Sequence, residues 1–180
     1  MGKIFPLPFV YERIVFMIAV AIIAFVCFFL DRASKIIMVN HVFGIENLAE
    51  NVRTHAITVI DGIIDFNYYA NTGVAFGFLQ DNKWIIVVIC IAILFGILFT
   101  IYKTKPETIT EKIAYGMIIG GALGNLTDRL MHGFVIDFIE TKFIDFPVFN
   151  IADSFIVIGA VLICVHFLFF DKKEDEIGKN

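Results

Sequence analysis

Four stretches of the chain are apolar on every side rather than at a 3.6-residue spacing, which marks helices buried all round or facing lipid. Each approaches the roughly 20 residues that a helix needs to cross a hydrocarbon core about 30 Å thick. The pattern predicts spans at about 14–38, 84–102, 113–131 and 151–170. The first runs from Ile14 to Leu30 without a polar residue and continues through Asp31, Arg32, Ser34 and Lys35 into Ile36-Ile37-Met38-Val39. The second is Trp84 to Tyr102. The third starts at Ile113 and passes Gly116, Gly120, Gly121 and Gly124 before meeting Asn125, Asp128 and Arg129. The fourth, Ile151 to Phe170, carries Asp153, Ser154 and His166.

Between the first two spans the period changes. Ala56 to Tyr69 alternates β-branched and aromatic residues around Asp61-Gly62, a turn signal, and predicts a short hairpin or small sheet. Val74 to Leu79 then returns toward the membrane. The expected fold class is an all-α integral membrane protein with four transmembrane helices and a small extracytoplasmic β-rich segment between helices 1 and 2. The whole chain, 1–180, reads as a single membrane-embedded domain.

Orientation follows from the bias of Lys and Arg toward cytoplasmic loops. Lys103, Lys105 and Lys112 lie between the second and third spans, Lys3 and Arg13 near the N-terminus, and Lys172, Lys173 and Lys179 in the tail. Segment 40–81 holds only Arg53 among its Lys and Arg positions. Both termini, including the tail 171–180, are expected in the cytoplasm, with segments 40–81 and 132–149 outside. The first span is expected to be retained: its apolar run exceeds a signal-peptide core, and Asp31-Arg32 follows where a cleavage site would need small residues.

Composition narrows the classes. The chain is 59% hydrophobic and 18% charged, with Phe at 21 positions, against roughly 45–50% and about 25% for a soluble domain. A net charge of −4 gives no electrostatic footprint for nucleic acid. Cys27, Cys90 and Cys164 each sit inside an apolar run, without the spacing of a disulfide framework or a zinc site.

Few side chains remain for chemistry. Ser34 and Ser154 are the only serines, and adjacent Ser34 and Lys35 do not share a helix face. His41, His55, His132 and His166 form no HExxH pair, so no metal and no cofactor are expected. Acids are left: Asp128, Asp137, Asp145 and Asp153, beside Asn125 and Asn150. Asp137 lies in Val-Ile-Asp-Phe-Ile with no polar neighbour, and Asp153 opens a hydrophobic helix, where it also complements the helix dipole. Desolvation raises such carboxyls, and two close together share one proton, which is acid–base chemistry for peptide hydrolysis without metal or serine. Asp128, on a helix face with Asn125, and the i,i+4 pair Asp31 and Lys35 read as ion-paired support. Asp145, before Pro147, reads as a solvated turn residue. The competing reading is a small proton-coupled transporter or channel that uses the same buried acids as a relay.

The motifs Asp31-Arg-Ala-Ser-Lys35, Asn71-Thr-Gly-Val-Ala-Phe76, Gly120-Gly-Ala-Leu-Gly-Asn125-Leu-Thr-Asp128-Arg129, Val135-Ile-Asp137-Phe-Ile139 and Phe149-Asn150-Ile-Ala-Asp153-Ser154 occur in order around the four spans. Together they resemble the lipoprotein signal peptidase family, signal peptidase II, whose members are bacterial intramembrane aspartic peptidases. The resemblance implies that Asp137 and Asp153 are the catalytic dyad, that Asn71, Asn125, Arg129 and Asn150 position substrate or dyad, and that Asp31, Lys35 and Asp128 are structural support. It implies prolipoproteins with a diacylglyceryl-modified cysteine as substrates, cut on the N-terminal side of that cysteine. A monomer among membrane lipids is expected, in the bacterial cytoplasmic (inner) membrane with the site near the outer leaflet. Segment 40–70 is longer than the resemblance leads one to expect.

Overall fold

A computed structural model describes residues 7–46, 48, 56–73, 82–104 and 108–169. Its elements are α1 (Leu7–Ile37), running into a π-helical turn (Met38–Val42), then β1 (Ile57–Ile60), β2 (Ile64–Asn71), α2 (Lys83–Thr104), α3 (Ile109–Met131), β3 (Val135–Thr141) and α4 (Ile151–Phe169). The expected membrane return at Val74–Leu79 and the tail 171–180 lie outside the described residues.

Among the described residues, three helical segments are long and apolar enough to cross a membrane: Tyr11–Val42, Lys83–Thr104 and Ile151–Phe169. The remaining expected span, α3, falls short of that criterion. It carries Glu111, Lys112, Asp128 and Arg129 and buries mostly small or polar residues, among them Gly116, Gly120, Gly121, Gly124, Asn125 and Asp128. Its place explains its composition, because α3 is the central helix, packed chiefly against α1 and α4. A Cβ at Gly120 would lie 2.5 Å from the Ala24 carbonyl of α1, and one at Gly121 would lie 2.5 Å from the Ala152 carbonyl of α4. Small residues are what let helix backbones approach this closely where lipid offers no hydrophobic drive. The N-terminus of α3 is fixed by a reciprocal capping box: the Thr108 hydroxyl accepts from the Glu111 amide, and the Glu111 carboxylate accepts from the Thr108 amide at 2.9 Å.

At one end of the bundle the start of α1 meets the end of α2, where Arg13 donates to the Tyr102 carbonyl and stacks 4.7 Å from the Tyr102 ring centroid. At the other end sits a three-stranded antiparallel sheet in the order β1-β2-β3. The predicted hairpin is present, its turn formed at Asp61-Gly62, with Gly62 at φ 68°. The expected β-rich segment between α1 and α2 is present and gains a third strand, Val135–Thr141 from the α3–α4 connection, in which Asp137 pairs with Tyr69. Gly133, at φ 89°, turns the chain from α3 into β3. One face of the sheet packs Tyr68, Ala70, Ile136 and Phe138 against Met38 and Val39 of the π-helical turn. The sheet is thereby locked to the end of α1 beside Lys35.

Candidate active site

Asn150 is the residue from which the site is built. It is fully buried, immediately before α4, and it caps that helix reciprocally with Asp153. Asn150 Oδ1 accepts from the Asp153 amide at 3.0 Å, while Asp153 Oδ2 accepts from the Asn150 amide at 3.1 Å. This satisfies two of the orphan amides at a helix start and places a carboxylate at the positive end of the helix dipole. The other end of the Asn150 side chain turns toward the sheet, where Nδ2 donates to Asp137 Oδ1 at 2.6 Å. One residue therefore contacts both carboxylates, Asp153 through its backbone amide and Asp137 through its side-chain amide.

Asn125 of α3 closes the arrangement. Its Nδ2 donates to Asp153 Oδ1 at 2.7 Å, and its Oδ1 accepts from Asn150 Nδ2 at 3.0 Å and from Lys35 Nζ at 3.0 Å. On the far side Asn71, the last residue of β2, donates from Nδ2 to Asp137 Oδ2 at 2.9 Å, while its own Oδ1 accepts from the Gly73 amide. Asp137 is 1% exposed whereas Asp153 is half-buried. Burial, and then the Asp153 charge, push the Asp137 carboxyl up to about 7, while the Asn71 and Asn150 hydrogen bonds pull it down. A carboxyl there keeps its proton near neutral pH while its partner lies within electrostatic reach, as an acid–base pair needs.

Beneath the pair lies a buried ionic cluster. Lys35 Nζ is 2.9 Å from Asp31 Oδ2 and 2.8 Å from Asp128 Oδ2, and Arg32 pairs with Asp128 Oδ1. Asp31, Lys35 and Asp128 are fully buried. Two carboxylates against two cations give no net charge, which is the condition under which such groups persist in a low-dielectric core. Arg32 was not singled out in the sequence. It lies three residues before Lys35 on α1, on a neighbouring part of the same helix face, and its partner Asp128 comes from α3, far away in sequence.

Beside Asp153 opens a cavity of about 620 Å³ whose lining combines the polar Asn71, Arg129 and Asp153 with the apolar Phe146, Val148, Val157 and Ile158. Arg129 of α3, in that lining, donates to the Gly73 carbonyl at 3.1 Å. Of the sequence candidates, Asp145 is exposed in the β3–α4 loop, apart from this cluster. Ser154 lines the cavity but gives its hydroxyl to the Asn150 carbonyl at 3.2 Å. Among the described residues no group of His, Cys, Asp or Glu is arranged to hold a metal ion.

A family model described as Signal peptidase (SPase) II matches residues 23–169. The chain belongs to the signal peptidase II family. It is 37% identical over 145 residues to the lipoprotein signal peptidase of Clostridioides difficile (strain 630), covering 80% of this chain and 90% of that one. It is 33% identical over 163 residues to that of Geobacillus thermodenitrificans (strain NG80-2), covering 89% and 93%. Two solved structures described as bacterial membrane enzymes match with TM-scores of 0.71 and 0.69 at 30% and 29% identity. They cover 83% and 84% of this chain, and 87% and 93% of their own. As a signal peptidase II, the chain is an intramembrane aspartic endopeptidase acting on lipoprotein signal peptides.

Proposed function

We propose that Asp137 and Asp153 are the catalytic pair of this peptidase and share one proton between them. The observation that carries this reading is the Asn150 side chain, which accepts from the Asp153 amide and donates to Asp137 Oδ1. Asp153, the more exposed and bordering the cavity, is the ionised member that takes a proton from water. The water oxygen then attacks the scissile carbonyl carbon, and protonated Asp137 gives its proton to the carbonyl oxygen. As the resulting gem-diol collapses, Asp137 takes back a proton from one of its hydroxyls, the C–N bond breaks, and the proton held by Asp153 goes to the leaving amine, which restores the starting protonation of the pair. Asn125 and Asn150 hold both carboxylates in place throughout, and such fixed dipoles stabilise developing charge without reorganising. Arg129 and Asn71, at the cavity rim, orient the peptide backbone.

The substrates in this reading are prolipoproteins whose cysteine already carries diacylglycerol, cut on the N-terminal side of that cysteine. The apolar wall of Phe146, Val148, Val157 and Ile158 suits a signal-sequence helix and acyl chains. Both termini are cytoplasmic, so the sheet end of the bundle, with the aspartate pair, lies at the outer leaflet. The chain acts as a monomer among lipids of the bacterial inner membrane. The transporter reading needs acids spread along the membrane depth, whereas Asp137 and Asp153 meet at a single asparagine.

The test is cleavage by the purified chain in lipid nanodiscs of a synthetic lipobox peptide, with and without diacylglycerol on its cysteine. Cleavage only of the lipidated peptide, releasing the residues before the cysteine, is expected. Equal cleavage of both peptides, or cleavage elsewhere, would overturn the substrate assignment.

A further inference from the structure

The ionic cluster beneath the pair does more than neutralise itself. Asp31 Oδ1 accepts from the backbone amide of Ala152 at 3.2 Å, and Asp128 Oδ2 accepts from the backbone amide of Ile136 at 3.2 Å. Ala152 immediately precedes Asp153, and Ile136 immediately precedes Asp137. Each candidate catalytic residue therefore has the amide before it held by one carboxylate of the cluster, and Lys35 ties those two carboxylates together at 2.9 and 2.8 Å. The same ammonium also donates to Asn125 Oδ1, which fixes which face of that amide is turned to Asp153.

We infer that Asp31, Lys35 and Asp128 are positioning residues that set the separation of the two catalytic carboxylates, by gripping matched backbone amides on α4 and β3. This rests on the reading of Asp137 and Asp153 as the pair. Strand β3 and the start of α4 meet through the backbone bridge between Ile139 and Phe149 and through Asn150, both on the side of the pair nearer the loop. The cluster adds a second anchor, from α1 and α3, that acts on the residue before each carboxylate. Because α1 and α3 approach at Gly124, a Cβ there would collide with Asp31 Oδ2. Gly124→Ala thus displaces the grip on Ala152 without altering any charge.

The test compares Gly124→Ala and Lys35→Met with the wild type in nanodiscs, measuring kcat, KM and the pH profile for the lipidated peptide, and the folded fraction by thermal unfolding. A misplacement of about 1 Å costs roughly 100-fold in rate, so Gly124→Ala is expected to lose about that much kcat per folded molecule with KM little changed. The charged or polar groups facing Asp137 are Asp153, Asn150, Asn71 and Lys35, and Lys35 holds its carboxyl down. Lys35→Met is therefore expected to move the alkaline limb of the profile to higher pH. If Lys35→Met does not fold, Gly124→Ala decides alone. Wild-type kcat per folded Gly124→Ala molecule overturns the inference, as does an unshifted limb in folded Lys35→Met. The pair assignment fails separately, if Asp137→Asn or Asp153→Asn keeps activity.

Discussion

Asn150 and Asp153 cap each other across the first turn of α4, with reciprocal hydrogen bonds of 3.0 and 3.1 Å. The helix-start role and the catalytic role of Asp153 are thus compatible. The cap uses Oδ2 and leaves Oδ1 to Asn125 at 2.7 Å. Removing the cap also disturbs the acid–base pair, and the two effects separate by choice of substitution.

Asn150→Ser keeps an oxygen able to cap α4 but is too short to reach Asp137, whereas Asn150→Ala loses both functions. Replacing a cap by Ala costs about 1 kcal/mol. Thermal unfolding is expected to rank Asn150→Ala below Asn150→Ser. Lipopeptide cleavage is expected to fall by about 100-fold or more in both.

Asp137 gives the site a pH dependence with a defined sign. Its carboxyl is raised from the ordinary 3.8 to about 7, chiefly by burial and then by the Asp153 charge. Because the mechanism needs Asp137 protonated, kcat is expected to fall as pH rises beyond about 7. Stability follows the same carboxyl: the unfolded chain gives up this proton near the ordinary value, the folded chain only near 7. Stability is therefore highest below the ordinary value and is lost progressively up to about 7, by about 4 kcal/mol at most from this group. The unfolding midpoint of Asp137→Asn is expected to lack this component, seen as a smaller drop than the wild type between pH 4 and 7.

Asn71 tests the same carboxyl from the other side. Its hydrogen bond to Asp137 Oδ2 at 2.9 Å holds the proton affinity down. Asn71→Ala is expected to move the alkaline limb of the cleavage profile to higher pH, besides weakening substrate positioning. A limb moving to lower pH would contradict the geometry.

The glycines of α3 and α4 divide by what they adjoin. A Cβ at Gly159 would lie 2.7 Å from the Ala114 carbonyl, toward the end of the bundle away from the sheet, and one at Gly121 meets the Ala152 carbonyl beside Asp153. Overpacking costs about 1–3 kcal/mol. Both Gly159→Val and Gly121→Val are expected to lower the unfolding midpoint. Only Gly121→Val is expected to reduce kcat per folded molecule.

The helices were legible because lipid-facing segments need no amphipathic period, so continuous apolar runs suffice to mark α1, α2 and α4. The hairpin was legible from Asp61-Gly62. The pairing of Tyr69 with Asp137 was not, since a short apolar run such as Val135–Ile139 has no period that separates strand from helix, and its partner lies far away in sequence. At the site, the sequence directs attention to Asp137 because no neighbour in the chain can satisfy it. Its partners Asn71 and Asn150 come from β2 and the α4 cap. The grip of Asp31 and Asp128 on backbone amides left no sequence signal, because a peptide N–H is present at every residue but proline. The i,i+4 spacing of Asp31 and Lys35 shows their mutual contact but not the Asp128 carboxylate that Lys35 also meets.

The central claim is that Asp137 and Asp153 together perform the hydrolysis. Its most direct measurement is processing of a diacylglyceryl-modified precursor by membrane-inserted Asp137→Asn and Asp153→Asn, with Asp145→Asn as the exposed-loop control. Loss of processing in both site variants, with the control near wild type, is the predicted result. Full processing by either site variant would contradict the account.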